Sequence, residues 1–409
     1  MVCPHFAPDT APTGVVMTRI VRELAALGHE IHVVTSLPWY AAHRVEPDWQ
    51  HVRWRTRTTT EPWGTVTRLD PFAGDDKSNL VRRALGFVGF SVTAAVAGVR
   101  VARGRRLDAV LVMSPPLTLG VTGWVVARLR RAPLFVNIQD VFPDAAVESG
   151  AITNRTVIAI ARRLEAWVYR RAEAVTVLSD DLAANLRIKV PSHRAWRIRT
   201  IPNFVDIDAI RPLDRRTDYR RELGLDERPV VMYAGNVGFS QSLDLMIEAA
   251  RALPDVWFVI NGDGAARRDL ETRARDLPNL VFGDYQPAER LPEVLATGDV
   301  HAVLLKRGLG RVSVPSKTYS IMAAGRPIVA AIDPDTEVTR LVDRSSGGTC
   351  VAPDDAAAFV AAVRHLVVDL ERARAQGRSA RAHVETIASP TAVATAYANL
   401  MASPTDRPS

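Results

Sequence analysis

Three short segments bring together the residue types that hold a phosphate: glycine for close backbone approach, serine or threonine at a helix start, and lysine as a point charge. Thr10-Ala11-Pro12-Thr13-Gly14 precedes a helical run, and Gly14 would let backbone come close to a ligand. Gly235-Asn236-Val237-Gly238-Phe239-Ser240-Gln241-Ser242 stands between a strand-like run and the amphipathic stretch Leu243 to Leu253. Val314-Pro315-Ser316-Lys317-Thr318 opens another helix, with Ser316 as its cap and Lys317 offered to phosphate. Each loop alone reads equally as a glycine turn or a serine cap. Their occurrence on both halves of an α/β chain favours a bound nucleotide.

Metal chemistry has no such footing. The aspartate pairs Asp75-Asp76, Asp180-Asp181 and Asp354-Asp355 each lie in polar stretches that read as loops or helix starts, so solvated charge accounts for them and no metal is expected. Cys3 and Cys350 form neither a metal-spaced cluster nor a disulfide framework, which fits a reducing compartment. No charged and then apolar leader opens the chain, so the expected location is cytoplasmic.

Loops of this kind need parallel sheets to aim them. At 409 residues the chain exceeds the roughly 250–300 residues that one core supports, and two domains are expected. A composition 47% hydrophobic and 24% charged is that of a folded protein. Strand-like runs alternate with helical ones, the βαβ pattern. In the first half the strands are 30–35, 109–113, 134–138 and 174–178, between helical runs such as 15–27 and 156–171. In the second they are 230–234, 256–261, 280–282, 300–304 and 327–331. Ile201-Pro202-Asn203-Phe204-Val205-Asp206, with proline after a strand-like residue and turn-forming Asn and Asp, is the hinge. Only Met1-Val2-Cys3 precede the turn at Pro4 to Pro8, so the opening strand is either stunted or begins upstream of Met1; the second reading is preferred. The tail after Met401 reads as a frayed end.

These residues resemble the retaining GT-B glycosyltransferases of family four. The loop Pro4 to Gly14, followed by Leu24 to Thr35, looks like that family's first loop, helix and second strand. Residues 201–206 are similar to its interdomain "IPNGVD" segment, and Asn261-Gly262-Asp263-Gly264 to its "GDG" loop. The most specific match, Val314 to Val329, resembles the donor-binding helix of a branch that builds bacterial surface polysaccharides and lipid-linked glycans. The resemblance implies two Rossmann-like domains facing across a cleft: an acceptor domain over 1–200, a nucleotide-sugar domain over 201–385, and a helix over 386–402 crossing back to the first.

It also implies roles. Lys317 would hold the diphosphate, helped by backbone N–H groups of Gly14, Gly238 and Ser240, by Ser316, and by Lys306 or Arg311. Tyr285 would flank the base, within Phe282 to Gln286. Asp140 would hold the acceptor or a sugar hydroxyl, although an aspartate after a strand is equally a helix cap. His5 would lie on the acceptor side, although a loop histidine is usually only solvated. Glu289 and Glu337 read as exposed helix carboxylates. The chain departs from the family where the E-x7-E carboxylates fall at Val312 and Ser320, the basic pair at Asn236 and Gln241, and the first-domain histidine at Gln139. These departures read as lineage differences. No cofactor is implied beyond the nucleotide-sugar co-substrate.

The partners implied are therefore a nucleotide-sugar donor and a lipid-linked or glycan acceptor. A surplus of 52 Lys and Arg over 45 Asp and Glu suits anionic partners. The basic residues are scattered and no nucleic-acid motif appears, so nucleic acid is not expected. Ala84 to Val99 is sixteen uncharged residues between Arg82-Arg83 and Arg100, Arg103, Arg105 and Arg106, short of the ~20 that span a bilayer. Peripheral contact of 80–106 with the inner face of the plasma membrane is one reading, and a buried helix with basic ends is the other. Trp39, Tyr40, Trp49, Trp54 and Trp63 line an acceptor entrance or pack loops. Two alternatives stand beside a transferase: a GT-B epimerase, which needs paired carboxylates that are not found, and a non-catalytic binding scaffold.

Overall fold

Val-, Ile- and Leu-rich runs that alternate with helices bury both faces of their strands, the condition for a parallel sheet covered by helices on each side. The computed structural model describes residues 1–41, 44–72, 80–144, 147, 152–310 and 316–403, with backbone alone for 80–84. The chain forms two units, Met1–Asn203 with Val393–Ser409, and Phe204–Ala392. The division falls inside the Ile201–Asp206 segment.

The first unit holds β1 (Ile31–Ser36), β2 (Arg57–Glu61), β3 (Gly64–Leu69), β4 (Val110–Ser114), β5 (Leu134–Ile138), β6 (Ala174–Val177) and β7 (Ile198–Thr200). Strands pair in the orders β1-β3-β2 and β4-β5-β6-β7. Val2 joins the two sets, bridging in parallel to Val34 of β1 and Val112 of β4. The loop from Pro4 to Pro12 thus leaves a central strand where the order reverses, the place at which such sheets hold ligands. The helix Thr118–Arg130 lies tight on this sheet, because a Cβ on Gly123 would meet Val112 Cγ1 at 2.5 Å, and tight on the helix Arg155–Arg171, because one on Gly120 would meet Val168 Cγ1 at 2.6 Å. The helix Pro390–Ala402 brings the fully buried Tyr397 into this unit.

The second unit holds β8 (Val230–Ala234), β9 (Trp257–Asn261), β10 (Leu280–Gly283), β11 (Val300–Leu304), β12 (Ile328–Ala331) and β13 (Gly348–Val351). All pair in parallel in the order β10-β9-β8-β11-β12-β13. This is the doubly wound order with its reversal between β8 and β11. The loops after those two strands are Gly235–Ser242 and the segment leading to Lys317. Phe258, Ile260, Val231 and Phe359 lie fully enclosed in its core, each side chain contributing about 1.5–3 kcal/mol.

Every strand expected from sequence forms within one residue of its expected bounds. Four strands escaped the reading: the hairpin β2–β3, and the short edge strands β7 and β13.

Candidate active site

In the second unit the chain turns sharply after β8. Gly235 has φ 138° and donates its N–H to Asn261 O at 2.9 Å. The Asn261–Gly264 loop closes over it: a Cβ on Gly262 would stand 1.9 Å from Gly235 O, and one on Gly264 2.3 Å from Val237 O. Only glycines allow these two loops to interlock.

Into this turn reaches Lys317, the first residue of the helix Lys317–Ala323. Its Nζ lies 3.7 Å from the Tyr233 ring centroid and 2.9 Å from a Cβ built on Gly235. The Nζ is fully enclosed and has no hydrogen-bond partner among the described residues. Burial alone pulls its pKa from 10.5 down to about 7. Tyr233, 0% exposed, is held by its hydroxyl to Asn236 O at 2.6 Å, and burial raises its pKa. An ammonium over a tyrosine face, with no counter-charge among the described residues, has the chemistry to receive an anion.

The rest of this end of the sheet is braced. Gly238 N–H donates to Gln241 Oε1 at 3.0 Å, and Ser240 O accepts from Lys306 N at 3.0 Å. Ser242 Oγ donates to Asp354 at 2.5 Å, which also receives the Arg307 N–H at 3.3 Å. Beyond β10, Tyr285 is 75% exposed beside Asp284, which pairs with Arg267 at 2.9 Å. Asp263, Gly264, Arg267, Asp284 and Tyr285 line one hollow of about 750 Å³.

In the first unit His5 follows the central strand. Its Nδ1 lies 2.7 Å from Oδ2 of Asp9, a residue only 3% exposed, whose Oδ1 accepts the Tyr40 N–H at 3.2 Å. A carboxylate can only accept, so Nδ1 carries the proton of this bond and Nε2 points away from Asp9. Trp39 stacks on the ring at 5.4 Å and Tyr40 meets it edge-on at 5.5 Å. Asp140 is exposed just past β5. The preceding Gln139 is buried, donating to Asn137 at 2.7 Å and exchanging bonds with Asn203 at 2.8 and 3.2 Å. Asn137 in turn donates to the Tyr397 hydroxyl at 2.6 Å. Among the described residues no group of three His, Cys, Asp or Glu stands together as a metal site.

Residues 13–203 match the family model described as "Glycosyl transferase 4-like domain", and 228–369 the one described as "Glycosyl transferases group 1". The chain is 30% identical over 279 residues to a GDP-mannose-dependent alpha-mannosyltransferase of Mycolicibacterium smegmatis, covering 67% of this chain and 68% of that one. The chain belongs to the family-four GT-B glycosyltransferases. It is also 29% identical over 379 residues to the putative colanic acid biosynthesis glycosyl transferase WcaI of Escherichia coli, across 89% of this chain and 90% of the other. The fold is similar to that of Anabaena HepE in complex with UDP, with a TM-score of 0.66, 14% identity and 98% of each chain covered.

Several expectations for this glycosyltransferase need correction. The close approach at Gly14 is taken by the chain's own loop, since a Cβ there would meet His5 Cβ at 2.9 Å and Phe6 N at 3.3 Å. The Gly238 N–H is engaged by Gln241, at one of the two positions where the family has its basic pair. Ser316 has helical φ and ψ and makes no side-chain cap bond. Glu337 is only 7% exposed, paired with Arg340 at 3.2 Å in the first turn of the helix Glu337–Ser345. Asp354 braces two loops and Asp355 caps the helix Ala356–Val368, so neither is merely solvated. Trp39, Trp49 and Trp63 pack against His5, Arg57 with Arg68, and Phe6, whereas Trp54 is 67% exposed. Glu289 is exposed, as expected, and Lys306 is exposed as well. Arg311, Val312, Val314, Pro315 and the pair Asp75-Asp76 lie outside the described residues. Sequence reasoning missed Asp9, Asn203 and Tyr233; for Asp9 the i, i+4 spacing from His5 was the available signal.

Proposed function

We propose that this glycosyltransferase moves a hexose or N-acetylhexosamine, with retention, from a nucleotide sugar to a lipid-linked or glycan acceptor in surface polysaccharide or glycolipid synthesis. The observation that carries the reading is Lys317: an enclosed amine with no partner among the described residues, at the point of strand-order reversal where a doubly wound sheet holds a nucleotide. The relatives' own names support it, since one is a colanic acid biosynthesis transferase, another uses GDP-mannose, and HepE is seen with UDP.

The C1–phosphate bond breaks as the acceptor hydroxyl bonds C1 from the same face, and the hydroxyl proton passes to the leaving phosphate oxygen. Charge builds on that oxygen, and Lys317 meets it at close range in a water-poor setting. The lysine and the backbone dipoles after β8 take the place a metal ion would fill. Gly238 and Ser240 join once Gln241 yields its bond, and Tyr285 flanks the base. Asp140 and the Nε2 of His5 orient the acceptor, and Ser316 adds a hydroxyl to the donor side. The enzyme would work at the cytoplasmic face of the membrane, on which its acceptor is carried.

The test is a panel of UDP-, GDP- and dTDP-sugars, scored by thermal stabilisation and by diphosphate release with a lipid-linked acceptor. One base class should stabilise the protein and turn over, and Lys317→Ala should lose both. Folded protein that binds none of the panel would contradict the reading.

A further inference from the structure

The helix Leu80–Arg100 has two apolar faces, and only one is covered. Phe90, Ser91 and Ala94 are buried toward the core, and Ser91 Oγ donates to Thr118 Oγ1 at 2.7 Å in the neighbouring helix. The opposite face carries Leu85, Val88, Val92 and Val96, between 46 and 66% exposed. Their spacing of three, four and four residues sets them in one row. No helix among the described residues is long and apolar enough to cross a membrane, so this row does not belong to a spanning segment.

Charge says what covers it. The first unit has 28 Lys and Arg against 18 Asp and Glu, and the second 24 against 27, so the basic surplus of the whole chain lies on the unit that bears the row. Arg100 and Arg103 are exposed where the helix ends. The turn after it is held in place: Arg130 donates to Val99 O at 3.1 Å, Ala102 O at 3.1 Å and Arg105 O at 2.7 Å, and also to Val101 O. Beside the row runs a hollow of about 550 Å³ whose walls include Trp54, Phe72, Val92, Val96 and Arg100. A row of aliphatic side chains, an exposed tryptophan and exposed arginines on a braced turn at one end is the chemistry of a surface that lies in an anionic lipid interface.

We propose that the Leu85–Val88–Val92–Val96 face, with Arg100 and Arg103, docks this enzyme on an anionic phospholipid bilayer, and that the adjoining hollow admits one acyl or isoprenoid chain. This builds on the acceptor reading above, because it fixes where a lipid-linked acceptor meets the protein. Leu85 to Val96 seat in the acyl boundary while the arginines stay at the headgroups.

The experiment is co-sedimentation of the full chain with vesicles of phosphatidylcholine alone and of phosphatidylcholine with phosphatidylglycerol. The wild type should bind the anionic vesicles and leave the neutral ones, with binding weakened by 0.5 M salt, a concentration chosen because it screens surface charge. Val92→Glu with Val96→Glu should lower partitioning about tenfold, and Arg100→Ala or Arg103→Ala about fivefold each. Val92→Ser with Val96→Ser is the milder second variant, and unchanged melting temperatures establish that each variant is folded. Failure of the wild type to bind, or equal binding by the variants, would overturn the docking face. So would a concentration-dependent dimer that Val92→Glu with Val96→Glu dissolves, since a second copy would then be the cover. Vesicle binding without turnover of any nucleotide sugar would leave this face standing and sink the transferase reading alone.

Discussion

Each unit places a charged or titratable side chain where its strand order reverses, and the two places are finished to different degrees. In the first, His5 is complete within the protein: Asp9 takes its Nδ1 proton, Trp39 covers its face, and the chain fills the space beside Gly14. In the second, Lys317 is incomplete: its enclosed amine faces the Tyr233 ring and has no hydrogen-bond partner among the described residues. An unpaired buried charge costs stability and persists where a ligand supplies the missing partner. The contrast separates a titratable group satisfied by its own unit from one that, in the proposed reading, takes its partner from an anionic ligand.

The largest break in this comparison comes from Lys317→Ala, which should lower turnover by about 10²- to 10³-fold, the loss typical of removing one donor to developing charge. Steady-state kinetics with the active nucleotide sugar measures it. The same change should not unfold the protein, and Lys317→Met should raise the melting temperature of the unliganded enzyme at pH 7. The sign follows from the pKa. The folded value, about 7, lies below the unfolded 10.5, so between those limits the unfolded chain holds a proton that the folded protein has released. This site's contribution to stability therefore rises with pH across that window, and below pH 7 the cost of the buried ammonium is fully present. Melting curves from pH 6.5 to 10 should show this rise in the wild type and lose it in Lys317→Met.

The first unit should behave oppositely. Asp9→Ala leaves the enclosed Nδ1–H of His5 without its acceptor and should cost about 1–3 kcal/mol in urea unfolding, with nucleotide affinity unchanged. Smallest is Tyr397→Phe, which removes the hydroxyl bonded to Asn137 and should cost about 1 kcal/mol in the same measurement.

How much of this was readable in the chain depended on period and distance. The buried strands at 134–138, 230–234 and 300–304 announced themselves as apolar runs, and Lys317 stood out as a lysine at a helix start. The hairpin β2–β3 did not, because Thr58, Thr59 and Thr60 give a polar run with no apolar face. Val2 could not be seen to bridge two strands, since pairing with Val34 and Val112 is a long-range fact. Glu337 looked exposed because its helix is polar overall, yet its first turn is buried with Arg340 beside it. Gln139 looked like a lost histidine; in the fold it ties β5 to Asn203.

The claim that Lys317 awaits an anion is tested most directly by calorimetry at pH 8, titrating the nucleoside diphosphate of the active class in buffers of different ionisation enthalpy. An enclosed lysine that titrates near pH 7 is mostly neutral there and regains its charge against the diphosphate, so binding should take up about one proton per nucleotide. Tight binding with no proton uptake would show that Lys317 does not meet the diphosphate, and the account of the second unit would fail.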